Sequence, residues 1–108
     1  MRGLMMDWPL TLPSLLEHAR ALHGRREIVS RTPAGLHRYT YREYVDRVDR
    51  LRAALAGLGV GPGDRVATFA WNSFRHFETY FAAPCQGAVI HTLNLRLHHE
   101  QVAYIANH

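Results

Sequence analysis

The sequence predicts an α/β fold: a β-hairpin followed by a β-α-β unit with parallel strands. Three observations predict it. Amphipathic stretches of helical period alternate with short apolar runs. Two of those runs flank a turn at hairpin spacing. In the second half the order helix, strand, helix, strand, helix calls for parallel strands joined by covering helices.

The elements follow in order. Leu12, Leu15, Leu16, Ala19 and Leu22 share one helical face, Pro13 suits the first turn, and Gly24 stands at the C′ position. Glu27 to Arg31 reads as a strand, Thr32-Pro33-Ala34-Gly35 as the turn, and Leu36 to Tyr39 as the hairpin partner. In YTYREY, Thr40 and Glu43 have capping-box spacing: the hydroxyl accepts from the N3 amide while the carboxylate reaches back to the Thr40 amide. Tyr44, Val45, Val48, Leu51, Leu55 and Leu58 then hold a helical period until Gly59. Arg65 to Ala70 reads as a strand. Ser73 caps a helix with Phe74, Phe77, Tyr80 and Phe81 on its buried stripe, closed by Gly87. Ala88 to Thr92 is a second buried strand, and Leu97 to His108 is helical through Val102 and Ile105.

A chain of 108 residues holds at most one domain. Within it, residues 1–24 form the N-terminal segment and helix, 25–58 the hairpin and long helix, and 59–108 the β-α-β-α unit. Two parallel strands and a hairpin are too few for a parallel sheet that needs both faces covered. The expectation is therefore the beginning of a larger fold.

Charge and compartment exclude several classes. The net charge of +4 comes from 13 arginines against 9 acids, with no lysine. The arginines run from Arg2 to Arg96 and only Arg25-Arg26 adjoin, so they read as solubilising cations and not as a nucleic-acid footprint. The start, MRGLMMDWPL, lacks a signal h-region, and no run reaches the ~18 apolar residues of a membrane span. One cysteine, Cys85, excludes an internal disulfide and favours a reducing, cytoplasmic setting. In the run FAAPCQGAV it reads as a small core residue.

Chemistry is sparse. Gly59, Gly61 and Gly63 invite comparison with a phosphate cradle, which needs the order strand, glycine loop, helix. Here a helix C-terminus precedes the glycines, and its carbonyls repel phosphate. The glycines therefore read as structural: Gly59 closes the helix and Gly61-Pro62-Gly63-Asp64 turns the chain into the next strand. A Rossmann fingerprint is likewise absent, because no glycine motif follows a strand. Of the 8 histidines, none lies at ligand spacing; His98 and His99 are neighbours that diverge on a helix. Glu78 and Glu100 lack a local acid–base partner. The remaining candidates stand beyond the strand ends, where open parallel sheets bind ligands. They are Asn72 after the first buried strand, and Asn94 and Arg96 after the second. Bridging of loops is the favoured role for both asparagines.

These stretches resemble a known family. YTYREY is similar to the first core motif of the adenylate-forming (AMP-binding) superfamily, Leu-Thr/Ser-Tyr-x-Glu-Leu, with Tyr39 and Tyr44 replacing the leucines. GVGPGDRVA resembles its helix-to-strand junction. FAAPCQGAVIHTLN resembles its Ala-Gly-x-x-x-x-Pro-Leu-Asn motif, with Gln86 before the glycine and His91-Thr92 where proline is usual. WNSFRHFETYFAAPCQGAVIHTLNLRL resembles bacterial medium- and long-chain fatty-acid:CoA ligases. The resemblance implies the N-terminal portion of such an enzyme's large domain, with Asn72, Asn94 and Arg96 at the rim of a substrate pocket. It implies a parent using ATP, Mg²⁺ and CoA, forming an acyl-adenylate and then a thioester. The family's Thr/Ser-Gly-Thr-Thr-Gly-x-Pro-Lys-Gly loop, adenine pocket, ribose-binding aspartate and C-terminal lysine all fall after His108. No catalytic, cofactor or metal residue is thus expected within the chain. The expected partners are the remainder of the ligase or a second copy, met through the N-terminal segment or exposed sheet edges.

Overall fold

The computed structural model describes residues 3, 4 and 6–108; Met1, Arg2 and Met5 of the amino-terminal stretch lie outside them. The elements are α1 (Leu12–His23), β1 (Glu27–Thr32), β2 (Gly35–Thr40), α2 (Tyr41–Gly57), β3 (Arg65–Thr68), α3 (Phe74–Ala82), β4 (Val89–Thr92) and α4 (His99–Asn107). A 3₁₀ turn, Pro84–Gln86, joins α3 to β4. β1 and β2 pair antiparallel in a register that sets Thr32 opposite Gly35, and β3 pairs parallel with β4. The predicted hairpin plus β-α-β arrangement is the observed one, as two separate two-stranded sheets.

The YTYREY stretch forms the capping box. Thr40 N–H donates to Glu43 Oε2 at 2.7 Å and Glu43 N–H donates to Thr40 Oγ1 at 3.3 Å. At the far end of α2, Gly59 N–H reaches Ala56 O and Val60 N–H reaches Leu55 O, the paired bonds of a Schellman close. Between those ends, Tyr44, Val45 and Val48 are buried, with Leu51 and Leu55 packed beside them. Leu16 of α1, Tyr39 of β2 and Ala82 of α3 complete the core around this face. Burying a side chain such as Val48 contributes about 1.5–3 kcal/mol.

Several faces expected to be buried are not. Leu12, Leu15 and Leu22 of α1 are exposed, as are Leu58 at the end of α2 and Tyr80 on α3. β3 stops at Thr68, two residues early, and Phe69 and Val89 face solvent. The period was right for these positions, but no described element packs on those faces. Gly24 also differs: it follows α1 in the right-handed region, and its requirement is space, since a Cβ there would collide with the Arg20 carbonyl oxygen. The surface confirms the openness. The chain exposes 8514 Å², against roughly 6,100 Å² for a folded monomer of its mass. Its radius of gyration is 16.5 Å, where a domain this long has about 13 Å. The elements are native-like pieces of a larger α/β arrangement.

The capping box carries a pH signature. Bonds from the Thr40 amide and hydroxyl hold the Glu43 carboxyl below its ordinary value. A carboxyl lowered on folding stabilises above its unfolded pKa, and that contribution is lost as pH falls through the folded one. Thr40→Ala is expected to cost about 1 kcal/mol in urea unfolding at pH 7. Glu43→Gln should flatten the loss of stability below about pH 4; an unchanged acid limb of the stability curve would contradict this.

Candidate functional site

The parallel pair positions the candidate site. Thr68 lies opposite Thr92, and Leu93 N–H donates to Thr68 O at 2.8 Å, so both carboxyl ends emerge on one side. Asn72 leaves the end of β3 and Asn94 and Arg96 leave the end of β4, all three exposed. Asn94 Oδ1 accepts from Arg96 N–H at 3.0 Å. This is an Asx turn that shapes its own loop, and it replaces the expected bridge between loops for Asn94. Among the described residues no hydrogen bond links Asn72 to either of the others.

Asn72 instead borders a shallow hollow of about 190 Å³ with Ser73, His76, Phe77 and Tyr80. Ser73 caps α3 as predicted, accepting from His76 N–H at 3.4 Å. His76 is buried, and its Nε2 lies 3.0 Å from Thr68 Oγ1. That contact pins α3 to the end of β3. Nothing in the sequence marks it, because the partners stand eight residues apart across a turn.

A second polar pair was also invisible locally. Glu78 of α3 is buried and receives Arg47 of α2 through both Nε, at 2.6 Å, and Nη2, at 3.1 Å. The bond to Glu78 holds Arg47 more firmly cationic. Tyr44 Oη donates to Phe77 O at 3.0 Å, and the two rings stack at 4.5 Å. Burial pushes the phenols of Tyr39 and Tyr44 up, reinforced by the Glu78 carboxylate and, for Tyr44, by Tyr39. They are neutral structural groups. Half-buried Cys85 packs against the core, and burial raises its thiol, which makes it a poor nucleophile.

The glycine turn has no amide to offer an anion. Gly61 N–H donates to Asp64 Oδ2 at 2.8 Å, Gly63 N–H to Gly87 O at 2.9 Å, and Asp64 N–H to Gly61 O at 3.2 Å. Gly63 takes φ +87°, as the third residue of a type II turn requires. Gly87 lets Pro62 approach: a Cβ there would meet it at 3.1 Å. The turn docks on Gly87, which closes the 3₁₀ turn ahead of β4.

The expected divergence of His98 and His99 needs correction. His98, His99 and Glu100 bring one ligand atom each within 4.8 Å of one another, all exposed. Divergence of neighbours applies inside a helix, whereas His98 is the N-cap with extended ψ of 147°.

The model of the AMP-binding enzyme family matches residues 15–108. The chain belongs to this family. A long-chain-fatty-acid–CoA ligase of Thermus thermophilus is 55% identical over 96% of the chain, which spans 19% of that protein. A 3-methylmercaptopropionyl-CoA ligase of Ruegeria lacuscaerulensis is 46% identical over the whole chain and 20% of its own length. Among solved structures, a Mycobacterium tuberculosis fatty acyl CoA synthetase superposes with a TM-score of 0.77 at 27% identity, over 88% of this chain and 19% of that one. The chain thus spans about a fifth of the curated relatives' length.

The Arg47–Glu78 bridge gives a direct test. Arg47→Met strands a carboxylate that is 6% exposed, while Arg47 itself is 37% exposed. The expected cost is about 1–3 kcal/mol, discounted from a fully buried pair. Arg47→Met with Glu78→Leu should recover much of it. A double-mutant cycle in urea with no coupling would show the bridge to be neutral.

Proposed function

We propose that the chain is the N-terminal portion of the large domain of a fatty-acyl-CoA synthetase. The parent enzyme would join a fatty acid to CoA with ATP and Mg²⁺, by way of an acyl-adenylate. The observation that carries this reading is the 55% identity to a long-chain-fatty-acid–CoA ligase along nearly the entire chain. In this reading the 108 residues are scaffold. α2 and α3 hold the parallel pair, whose carboxyl ends present Asn72, Asn94 and Arg96 at the rim of the acid pocket. The internally satisfied glycine turn supports the reading that nucleotide handling belongs to the remainder of the ligase, which would be the chain's principal partner. A lone, poorly nucleophilic Cys85 suits the reducing cytoplasm, and no described helix is long and apolar enough to cross a membrane.

Pyrophosphate exchange with a medium- or long-chain fatty acid tests the assignment. The 108-residue chain should give no exchange, and the full ligase polypeptide should give it only with an acid present. Exchange by the short chain alone would move the ATP site into these residues; failure of the full polypeptide with every fatty acid would remove the substrate class.

A second reading has an observation in its favour. Each sheet has two strands, so each keeps unpaired outer edges among the described residues, and Val29 and Leu36 on the hairpin are exposed. Such edges pair with other chains. As a separate module the chain would self-associate. Light scattering should then show a mass rising with concentration, and a monomer at high concentration would exclude this reading.

A further inference from the structure

We propose that His98, His99 and Glu100 form a site for a divalent transition-metal ion of the zinc type. The proposal rests on local geometry and is independent of the acyl-CoA reading. Because His98 precedes the helix in an extended conformation, its ring folds back over that of His99, with centroids 4.0 Å apart. His98 Nδ1 lies 3.7 Å from Glu100 Oε2, and one ligand atom from each of the three residues falls within a 4.8 Å group. A tetrahedral zinc with bonds of about 2.1 Å sets its ligand atoms roughly 3.4 Å apart. One edge of the triangle is therefore nearly at bonding separation already. The other edges join exposed side chains that have room to rotate.

The backbone beneath is fixed. His98 N–H donates to Gln101 Oε1 at 3.2 Å, and Gln101 N–H donates to His98 O at 2.9 Å. Two imidazoles and one carboxylate form a donor set suited to zinc, cobalt or nickel, and water would fill the open position. Magnesium, which prefers an all-oxygen shell, fits poorly, so this site is distinct from any Mg²⁺ that accompanies ATP. The partial positive charge of the α4 N-terminus opposes a cation, and the Glu100 carboxylate offsets it. Binding has a structural consequence. α4 contributes no buried residue, so an ion joining its cap to its first turn would hold the start of that helix in its helical conformation.

The test is titration of the 108-residue chain with Zn²⁺, followed by imidazole NMR shifts, with Co²⁺ absorption as a second probe. One ion per chain should bind, with saturable shifts at His98 and His99 and slower hydrogen exchange in α4. His99→Ala should weaken binding by about tenfold or more and abolish the exchange effect, and Glu100→Gln should weaken it by about threefold. His18→Ala, which alters the separate His18–His23 contact on α1, should leave the affinity unchanged. These ligands are exposed, so loss of binding will not reflect unfolding; circular dichroism of each variant verifies that. Unchanged affinity in His99→Ala, or unsaturable shifts spread over all histidines, would overturn the proposal.

Discussion

The packing of α2 against α3 is the constraint from which the rest of the structure follows. Val48 and Ala82 are fully buried at this contact, Tyr44 stacks on Phe77, and Arg47 clasps Glu78. The interface combines non-directional burial with directional bonds. Apolar contact brings the helices together, while the phenol-to-carbonyl bond and the bidentate ion pair select one register. Glu78 could not be buried without Arg47, because an unpaired carboxylate there would bear its full desolvation cost. Fixing α3 in turn fixes β3 through His76 and Thr68, and β4 through the turn that seats Pro62 on Gly87.

That chain of contacts explains the structural role of the glycine-rich segment. A phosphate loop needs free amides aimed outward, and this turn spends its amides on its own carboxylate and on Gly87. Its product is alignment: it sets the return of the chain so that β3 and β4 end side by side. The strand ends then point their loops, with Asn72, Asn94 and Arg96, toward a common edge, the side on which open parallel sheets bind ligands. The open surfaces fit the same picture. The exposed apolar residues on α1, the bare faces of the parallel pair and the peripheral α4 are what a segment of a larger enzyme domain presents when described by itself.

Much of the architecture was legible because its causes are local. Thr40 and Glu43 satisfy each other's backbone within one turn. Ser73 caps α3 for the same reason, and Pro33-Ala34 closes a hairpin that neighbouring residues define. The readings that failed involved burial, which depends on what covers a face. Leu12, Leu15, Leu22 and Tyr80 have the right period and no cover. Asn94 was expected to bridge loops, yet its nearest available donor, Arg96 N–H, lies two residues away and wins by proximity.

The sequence by itself determined the order and type of the elements, the starts of α2 and α3, the structural role of the Gly59–Gly63 turn and the family resemblance. All of these are written in short-range hydrogen bonding, period and motif spacing. α3 ends at Ala82, before the 3₁₀ turn that Gly87 closes. Only the tertiary structure decided that Glu78 meets Arg47 across 31 residues, that His76 reaches Thr68, and that His98 folds back on His99 and Glu100. Those meetings depend on how helices cross and on the dihedral angles of one capping residue, quantities that residue spacing does not encode.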